Sequence, residues 1–217
     1  MPLNAVLFPG MPMPLALWEP RYLQMAQYCI EANSEFGVAL IRSGSEVGEE
    51  VAETHAVGTT AEIADFRDAG DHIVVLAIGR RRFRILQALD EGPYPQAEVE
   101  LLAEPAGAGV SPEFVADVRS LFAEEIDLVL QLLGFEDMEL EIPAQADKLS
   151  YMIAAHLRVP LQAKQELLET ERCSQRLARE LELVQKERQE YRLLLAAREY
   201  FDRNSSGEGL EQVFSDN

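Results

Sequence analysis

The chain has 217 residues, of which 47% are hydrophobic and 26% are charged, and its formal net charge is −19. These values are typical of a globular protein of one or two domains that can bury a sizeable core. The strong negative charge disfavours binding to the phosphate backbone of nucleic acids and to anionic membrane surfaces. Its two cysteines are too few for a disulfide scaffold, and neither a leader sequence nor a membrane-spanning apolar run is visible, so we expect a cytoplasmic protein.

Residues 1–104 have the pattern of short β-strands separated by turns. One helix interrupts them, from Glu19 to about Asn33, with apolar residues at i, i+3, i+4 and i+7. Six or so short strands predict a PUA-like compact barrel or folded sheet. The expected strands are 5–8, 36–41, 57–63, 72–78, 83–88 and 97–101.

Residues 110–203 have helical periodicity and follow a linker rich in Pro, Ala and Gly at 104–109. Ser111 is a predicted helix N-cap, and Pro112 suits the first turn of the helix that follows. Gly134 is predicted to end this helix. Helices are expected over about 112–133, 144–156, from near 160, and over 171–201, followed by a flexible tail at 204–217. The predicted class is α+β, with a β-rich lobe before a helical bundle lobe.

The last predicted helix carries an apolar stripe at alternating three- and four-residue steps. Such a stripe is typical of a short coiled coil, and it would fit either packing within the bundle or a weak homodimer. The residues of the stripe are Leu177, Leu181, Val184, Tyr191 and Leu195.

Sequence motifs for catalysis are absent. The three lysines are Lys148, Lys164 and Lys186, and none follows a glycine as a phosphate-binding loop requires. Lys148 and Ser150 lie in a charged helical stretch that does not suit a Ser–Lys dyad. The three histidines are far apart and no Cys-x-x-Cys pair exists, so we expect no metal, no cofactor and no enzymatic activity.

Arg80, Arg81, Arg82 and Arg84 form one basic cluster in this acidic chain, after Gly79 and between two predicted strands. The cluster could bind a phosphate, an RNA backbone or an acidic peptide. Alternatively, it is a turn whose arginines pair with the surplus of Asp and Glu.

Several segments together resemble the amino-terminal domain of Lon proteases. The opening residues 1–25 combine a short apolar run, a proline-punctuated segment and Glu19-Pro20-Arg21 at a helix start. The resemblance covers roughly residues 1–200, and its other motifs lie at 57–63, 79–85, 94–99, 147–156 and 164–169.

This resemblance implies a PUA-like β lobe followed by a helical bundle that ends in a long helix. In Lon proteins the region contributes to substrate recognition and assembly, whereas ATP hydrolysis and peptide-bond cleavage belong to other domains. The resemblance therefore implies a protein-binding module without ATPase or peptidase activity.

The candidate protein-binding residues belong to the proline-rich opening, because Met and aromatic side chains adapt to varied apolar partners. The expected partners are unfolded or hydrophobic protein segments, and a protease or chaperone is a further candidate. In the alternative, the arginine cluster of a PUA-like lobe binds RNA or another anion. The candidate protein-binding residues are Pro9, Met11, Met13, Pro14, Leu17, Trp18 and Tyr22.

Overall fold

The computed structural model describes residues 1–48, 52–89, 92–103, 109–135, 138 and 140–205, within which the chain forms seven strands and five helices. Part of the predicted linker (104–108) and most of the predicted tail (206–217) lie outside the described residues. The elements are β1 (Pro2–Leu3), β2 (Pro12–Leu17), α1 (Pro20–Ala32), β3 (Phe36–Ser43), β4 (Glu53–Thr54), β5 (Val57–Asp68), β6 (Ile73–Leu89), β7 (Gln96–Leu101), α2 (Pro112–Leu133), α3 (Ala146–His156), α4 (Leu161–Glu169) and α5 (Cys173–Ser205).

The strands form one mixed sheet with the path β1-β3-β5-β6-β2. β1 pairs with β3 in parallel, and the other pairs are antiparallel. β4 adds to β3, and β7 adds to the far part of β6. The predicted α+β class, with strands first and helices second, is confirmed. The boundaries of the two predicted lobes stay a prediction.

At the start of the chain the strand predicted at 5–8 is wrong, and a strand that was not predicted follows it. Residues 5–8 are irregular, because they cross from β1 at one end of the sheet towards β2 at the other. Their backbone is bonded elsewhere, since the Thr59 hydroxyl donates to the carbonyl oxygen of Leu7 at 2.6 Å. The proline-punctuated segment after them is the real strand β2, an edge strand that tolerates proline.

The predicted break between two strands at the arginine cluster is also wrong, because β6 runs unbroken from Ile73 to Leu89. Gly79 lies inside the strand, where its N–H donates to the carbonyl oxygen of Met11 at 3.0 Å. It also accepts from the N–H of Gly10 at 2.8 Å. Gly79 therefore allows β6 to lie close to the segment at residues 10–11, and it does not mark a turn.

The inner face of the β lobe packs on α1. Tyr22, Met25, Ala26 and Cys29 recur on one face of this helix and are buried. They join a core cluster with inward-facing side chains of the sheet, among them Val75. Pro20 occupies the first turn of α1, where its missing N–H costs nothing.

The helical part begins as the sequence predicts, since the Ser111 side chain accepts from the Phe114 N–H at the start of α2. The stripe of α5 is turned into the bundle: Leu177, Val184 and Tyr191 are buried. The second core cluster joins these helices to Phe8 and Val57 of the β part, so the helices and the sheet share one core. Within the described residues, no helix combines the length and the apolar character needed to cross a bilayer.

Candidate protein-binding surface

The alternation of β2 divides the predicted binding residues into a buried and an exposed group. Met13 and Leu17 point inward and are only 7% and 2% exposed, and Tyr22 of α1 is buried beside them. Pro9 and Met11 are half-buried. Pro14 and Trp18 are exposed, and Trp18 keeps 56% of its surface in solvent.

Pro14 and Trp18 belong to an apolar surface that faces solvent on the outer side of the sheet. In the register of β2 and β6, Pro14 lies opposite Leu76 and Ala16 lies opposite Val74. Leu76 and Val74 are 38% and 36% exposed, so they add apolar area to the same side of the sheet. We call this surface the Trp18 face; it comprises Pro12, Pro14, Ala16, Trp18, His72, Val74 and Leu76.

Trp18 is held on this face by an aromatic contact. Its ring stacks on the imidazole of His72, with 3.8 Å between ring centroids and 17° between the ring planes. Asp71 lies 2.7 Å from the Nδ1 atom of His72, and this hydrogen bond lowers the pKa of the Asp71 carboxyl. The stack fixes the orientation of the indole while its outer surface stays open to solvent.

Sequence reasoning missed Val74 and Leu76, although a signal for them exists. In β6, Val75 and Ala77 are fully buried, so Val74 and Leu76, which alternate with them, must face the other side. Residues 73–78 are apolar at every position. The sequence alone therefore does not show which of them face the core and which face solvent.

A cleft of about 430 Å³ opens where β2 ends and α1 begins. Leu17, Trp18 and Tyr22 meet there, so the structure brings together three of the predicted binding residues. Burial raises the pKa of Tyr22, which stays neutral at physiological pH. The cleft is lined by Met1, Pro2, Asn4, Ala16, Leu17, Trp18, Glu19, Tyr22, Gly44, Ser45, Glu46 and Val47.

The free edge of β2 is poor in hydrogen-bond donors. Met11 bonds to Gly79 of β6 through its carbonyl oxygen, so alternation turns the backbone groups of residues 12, 14 and 16 away from β6. Pro12 and Pro14 have no N–H to offer there. This edge resists pairing with another strand, and the Trp18 face offers side chains, not backbone donors, for contact.

The four arginines of the basic cluster point in different directions. Arg82 is buried, at 1% exposure, and its Nη1 atom donates to the carbonyl oxygens of Leu168 at 2.7 Å and Thr170 at 3.1 Å. The other three lie near carboxylates, so the described residues show no single cationic surface here. Their partners are Glu62 for Arg80 at 2.8 Å, Glu35 for Arg81 at 3.6 Å and Glu171 for Arg84 at 3.3 Å.

Two carboxyl groups with strongly shifted pKa values lie inside the helical bundle, away from the cleft at Trp18. Burial raises the pKa of Glu180 to about 8, and Glu180 accepts a hydrogen bond from the Ser150 hydroxyl at 2.9 Å. Burial and the neighbouring Glu187 raise the pKa of Glu125 to about 8 as well. Both therefore belong to the packing between helices, and in the described part of the chain no group of His, Cys, Asp and Glu could hold a metal ion.

The sequence and the fold match those of a known class of domain. The profile of the ATP-dependent protease La (LON) substrate-binding domain matches residues 1–186. The chain therefore belongs to this family, as its sequence motifs suggested.

Relatives and solved structures agree with the family. The chain is 28% identical over 189 residues to the Lon protease of Anaeromyxobacter dehalogenans, covering 86% of this chain and 22% of that protein. It is 30% identical over 173 residues to the Lon protease of Methylocella silvestris, covering 76% of this chain and 21% of that protein. The chain thus spans about a fifth of the length of the curated proteases that it matches.

Among solved structures, a Lon N-terminal domain protein from Xanthomonas campestris superposes with a TM-score of 0.61 at 25% identity, covering 82% of this chain and 93% of that chain. The N-terminal domain of a Mycobacterium avium complex Lon protease superposes with a TM-score of 0.65 at 18% identity, covering 85% and 96%. The second likeness concerns the fold alone.

Proposed function

We propose that this chain is a non-catalytic protein-binding module that recognises exposed apolar segments of other polypeptides. The observation that carries the proposal is the Trp18 face, an apolar surface on the outer side of the sheet with a stacked and exposed tryptophan. Exposed apolar patches that are rimmed by polar residues mark interaction sites. Asp65 and Arg67 of β5, opposite Leu76 and Val74, supply that rim.

The mode of binding follows from the β2 edge. Because Pro12 and Pro14 remove donors from this edge, a partner would contact side chains and gain little from backbone pairing. The strength of such contacts depends on the apolar area of the partner and not on its sequence. This suits partners that share only unfolded, apolar stretches. The cleft beside Trp18 would receive one larger apolar side chain of such a segment.

The family supports this proposal, since its description is that of a substrate-binding domain. We further propose that partners bound at this surface are delivered to a protease or chaperone. RNA binding through the arginine cluster has less support, because the arginines are dispersed among carboxylates and Arg82 is buried.

The test replaces Trp18 with alanine and measures binding to a fluorescein-labelled, chemically unfolded model protein by fluorescence anisotropy. We expect Trp18→Ala to weaken binding about tenfold, since truncating an aromatic anchor costs roughly 2 kcal/mol or less at a non-central position. Thermal unfolding should change little, because the indole is mostly exposed.

Tyr28→Ala is the matched control. Tyr28 is an aromatic residue of equal exposure, 57%, but it lies on α1, which covers the opposite side of the sheet. Wild-type affinity in Trp18→Ala, or equal losses in both variants, would reject the Trp18 face as the binding surface.

We also propose a weak self-association through the end of α5. The residues of the stripe that suggested a dimer are buried or half-buried in the bundle, so a second copy would have to use other residues. Leu193, Leu194, Tyr200 and Phe201 share one face of the last turns and are 55–72% exposed. Sedimentation velocity over a range of concentrations would detect the dimer.

A further inference from the structure

The far part of β6 and β7 form a two-stranded ribbon. β5 pairs with β6 only as far as Arg84, opposite Val57, and the last contact on that side is the hydrogen bond from Ile85 N–H to Ala56 O at 2.8 Å. Beyond Ile85, β6 pairs with β7 alone in the described residues. Two-stranded ribbons are marginally stable in water and gain from a third strand.

The ribbon exposes large apolar side chains that the shared core does not cover. Leu86 and Leu89 of β6 are 57% and 42% exposed, and Val99 and Leu101 of β7 are 39% and 44% exposed. The apolar area of Val99 and Leu101 would be partly removed from water if a further strand lay beside β7.

The outer edge of β7 keeps its backbone donors. Leu102 donates its N–H to the carbonyl oxygen of Arg82 at 2.9 Å, so alternation turns the backbone groups of Leu101 and Val99 away from β6. No proline occurs between Gln96 and Leu101. This edge differs from that of β2, where two prolines remove the donors at the corresponding positions.

The side chains of β7 define what a third strand should carry. Val99 and Leu101 lie on one face, and Glu98 and Glu100 lie on the other, all exposed. Arg84 is opposite Glu100, but it is paired with Glu171, so the second face stays acidic. Opposite charges on adjacent strands stabilise a sheet, and like charges destabilise it.

We propose that the outer edge of β7 binds an extended polypeptide segment in which apolar and basic residues alternate. The segment would add a strand to the sheet. Its backbone carbonyl oxygens would accept hydrogen bonds from the outward-facing N–H groups of Val99 and Leu101. Its apolar side chains would cover Val99 and Leu101, and its basic side chains would lie beside Glu98 and Glu100. The site is separate from the Trp18 face and does not depend on it.

The probe is a short fluorescein-labelled peptide of alternating valine and lysine, with binding measured by fluorescence anisotropy. Two peptides serve as controls: one with the same residues in separate valine and lysine blocks, and one of alternating valine and glutamate. We expect the alternating valine–lysine peptide to bind about tenfold more tightly than the block peptide, because only alternation satisfies both faces at once. Equal binding of these two peptides would mean attraction to net charge alone and would overturn the proposal.

Val99→Pro removes one donor from the free edge and leaves the bonds of β7 to β6 in place. We expect Val99→Pro to lower the affinity for the valine–lysine peptide about tenfold. The matched variant Val99→Thr keeps the N–H and should bind the peptide nearly as tightly as the wild type does. Circular dichroism checks the fold of each variant. A folded Val99→Pro protein with wild-type affinity would overturn the proposal.

A second variant keeps the test decisive if Val99→Pro does not fold. Replacing Glu98 and Glu100 together by lysine should reverse the preference, so that the valine–glutamate peptide binds and the valine–lysine peptide does not. Unchanged preference would overturn the proposal. Tyr28→Ala, which lies outside both surfaces, should leave the peptide affinity at the wild-type value. The preference for alternation and its reversal by the Glu98 and Glu100 substitutions are measured only with these peptides, so failure here and failure of the Trp18 face are separate results.

Discussion

Gly79 lies where β6 passes the irregular segment that precedes β2, and the approach leaves no space for a side chain. A Cβ atom at this position would overlap the carbonyl oxygen of Phe8 and lie 3.2 Å from the Cγ atom of Leu7. Both of these neighbours are buried, and the carbonyl group belongs to the backbone, so neither can move aside without disturbing the core.

We therefore expect Gly79→Ala to lower the free energy of unfolding by about 3 kcal/mol, the upper range for overpacking a core. Gly37→Ala is the control, because its Cβ would meet only the ring edge of Phe83 at 3.1 Å and should cost about 1 kcal/mol or less. Urea unfolding followed by circular dichroism measures both variants. Equal stability of the two would contradict this account.

Glu180 is a carboxyl group inside the helical bundle, and its pKa of about 8 makes it neutral at pH 7. In the unfolded chain the same group ionises near its ordinary pKa of about 4.5. Between these two values the folded protein holds more protons than the unfolded chain, so its stability falls as the pH rises.

Replacing Glu180 with glutamine removes this titration and keeps an acceptor for the Ser150 hydroxyl. We expect the free energy of unfolding of the wild type to decrease from pH 5 to pH 8 more steeply than that of Glu180→Gln, by up to about 1.4 kcal/mol per pH unit. Urea unfolding at several pH values measures the two slopes. Parallel slopes would show that Glu180 ionises alike in the folded and unfolded states.

Elements of strong periodicity could be predicted from the sequence, whereas elements whose form depends on their neighbours could not. α1, α2 and β3 were predicted well, because a cap, an apolar face or a bounded apolar run is a local signal. β2 contains two prolines and reads as a loop, and only its place at the edge of the sheet makes it a strand. β6 contains a glycine and four arginines and reads as two strands, and only pairing on both sides reveals it as one.

At the scale of single elements, the end of α5 is the site at which we expect weak self-association. Leu193→Ser together with Phe201→Ser should lower any concentration-dependent rise in the sedimentation coefficient, because both side chains lie on the exposed apolar face. Leu161→Ser is the control, since Leu161 is also exposed, at 41%, but lies on α4. Self-association that persists in the double variant would place the contact elsewhere on the molecule.

At the scale of the whole molecule, Arg82 connects the sheet to the helices. Its guanidinium group leaves β6 and reaches the end of α4, where two carbonyl groups accept its hydrogen bonds. The buried Arg176 of α5 donates to the same carbonyl oxygen, that of Thr170, at 2.9 Å. This contact and the shared apolar core tie the two parts of the chain together.

Arg82→Leu should lower the free energy of unfolding by about 3 kcal/mol, because it leaves the buried carbonyl group of Leu168 without this charged donor and leaves that of Thr170 with the Arg176 donor. Arg80→Leu, in the same cluster, should change it by about 0.5 kcal/mol or less, because Arg80 forms an exposed ion pair with Glu62. Thermal and urea unfolding measure both. Similar effects of the two substitutions would show that Arg82 does not connect the sheet to the helices.

The sequence by itself determined the family, the α+β class and most helix boundaries. These follow from local signals such as caps, turn residues and periodic apolar faces, together with motifs that keep their order along the chain. Only the tertiary structure decided which of the seven candidate residues remain exposed, because that depends on which face of β2 is covered by α1. It also decided that Val74 and Leu76 join Trp18, that the four arginines separate, and that β2 and β7 have different edges. Each of these depends on strand pairing between distant segments, which one-dimensional patterns do not specify.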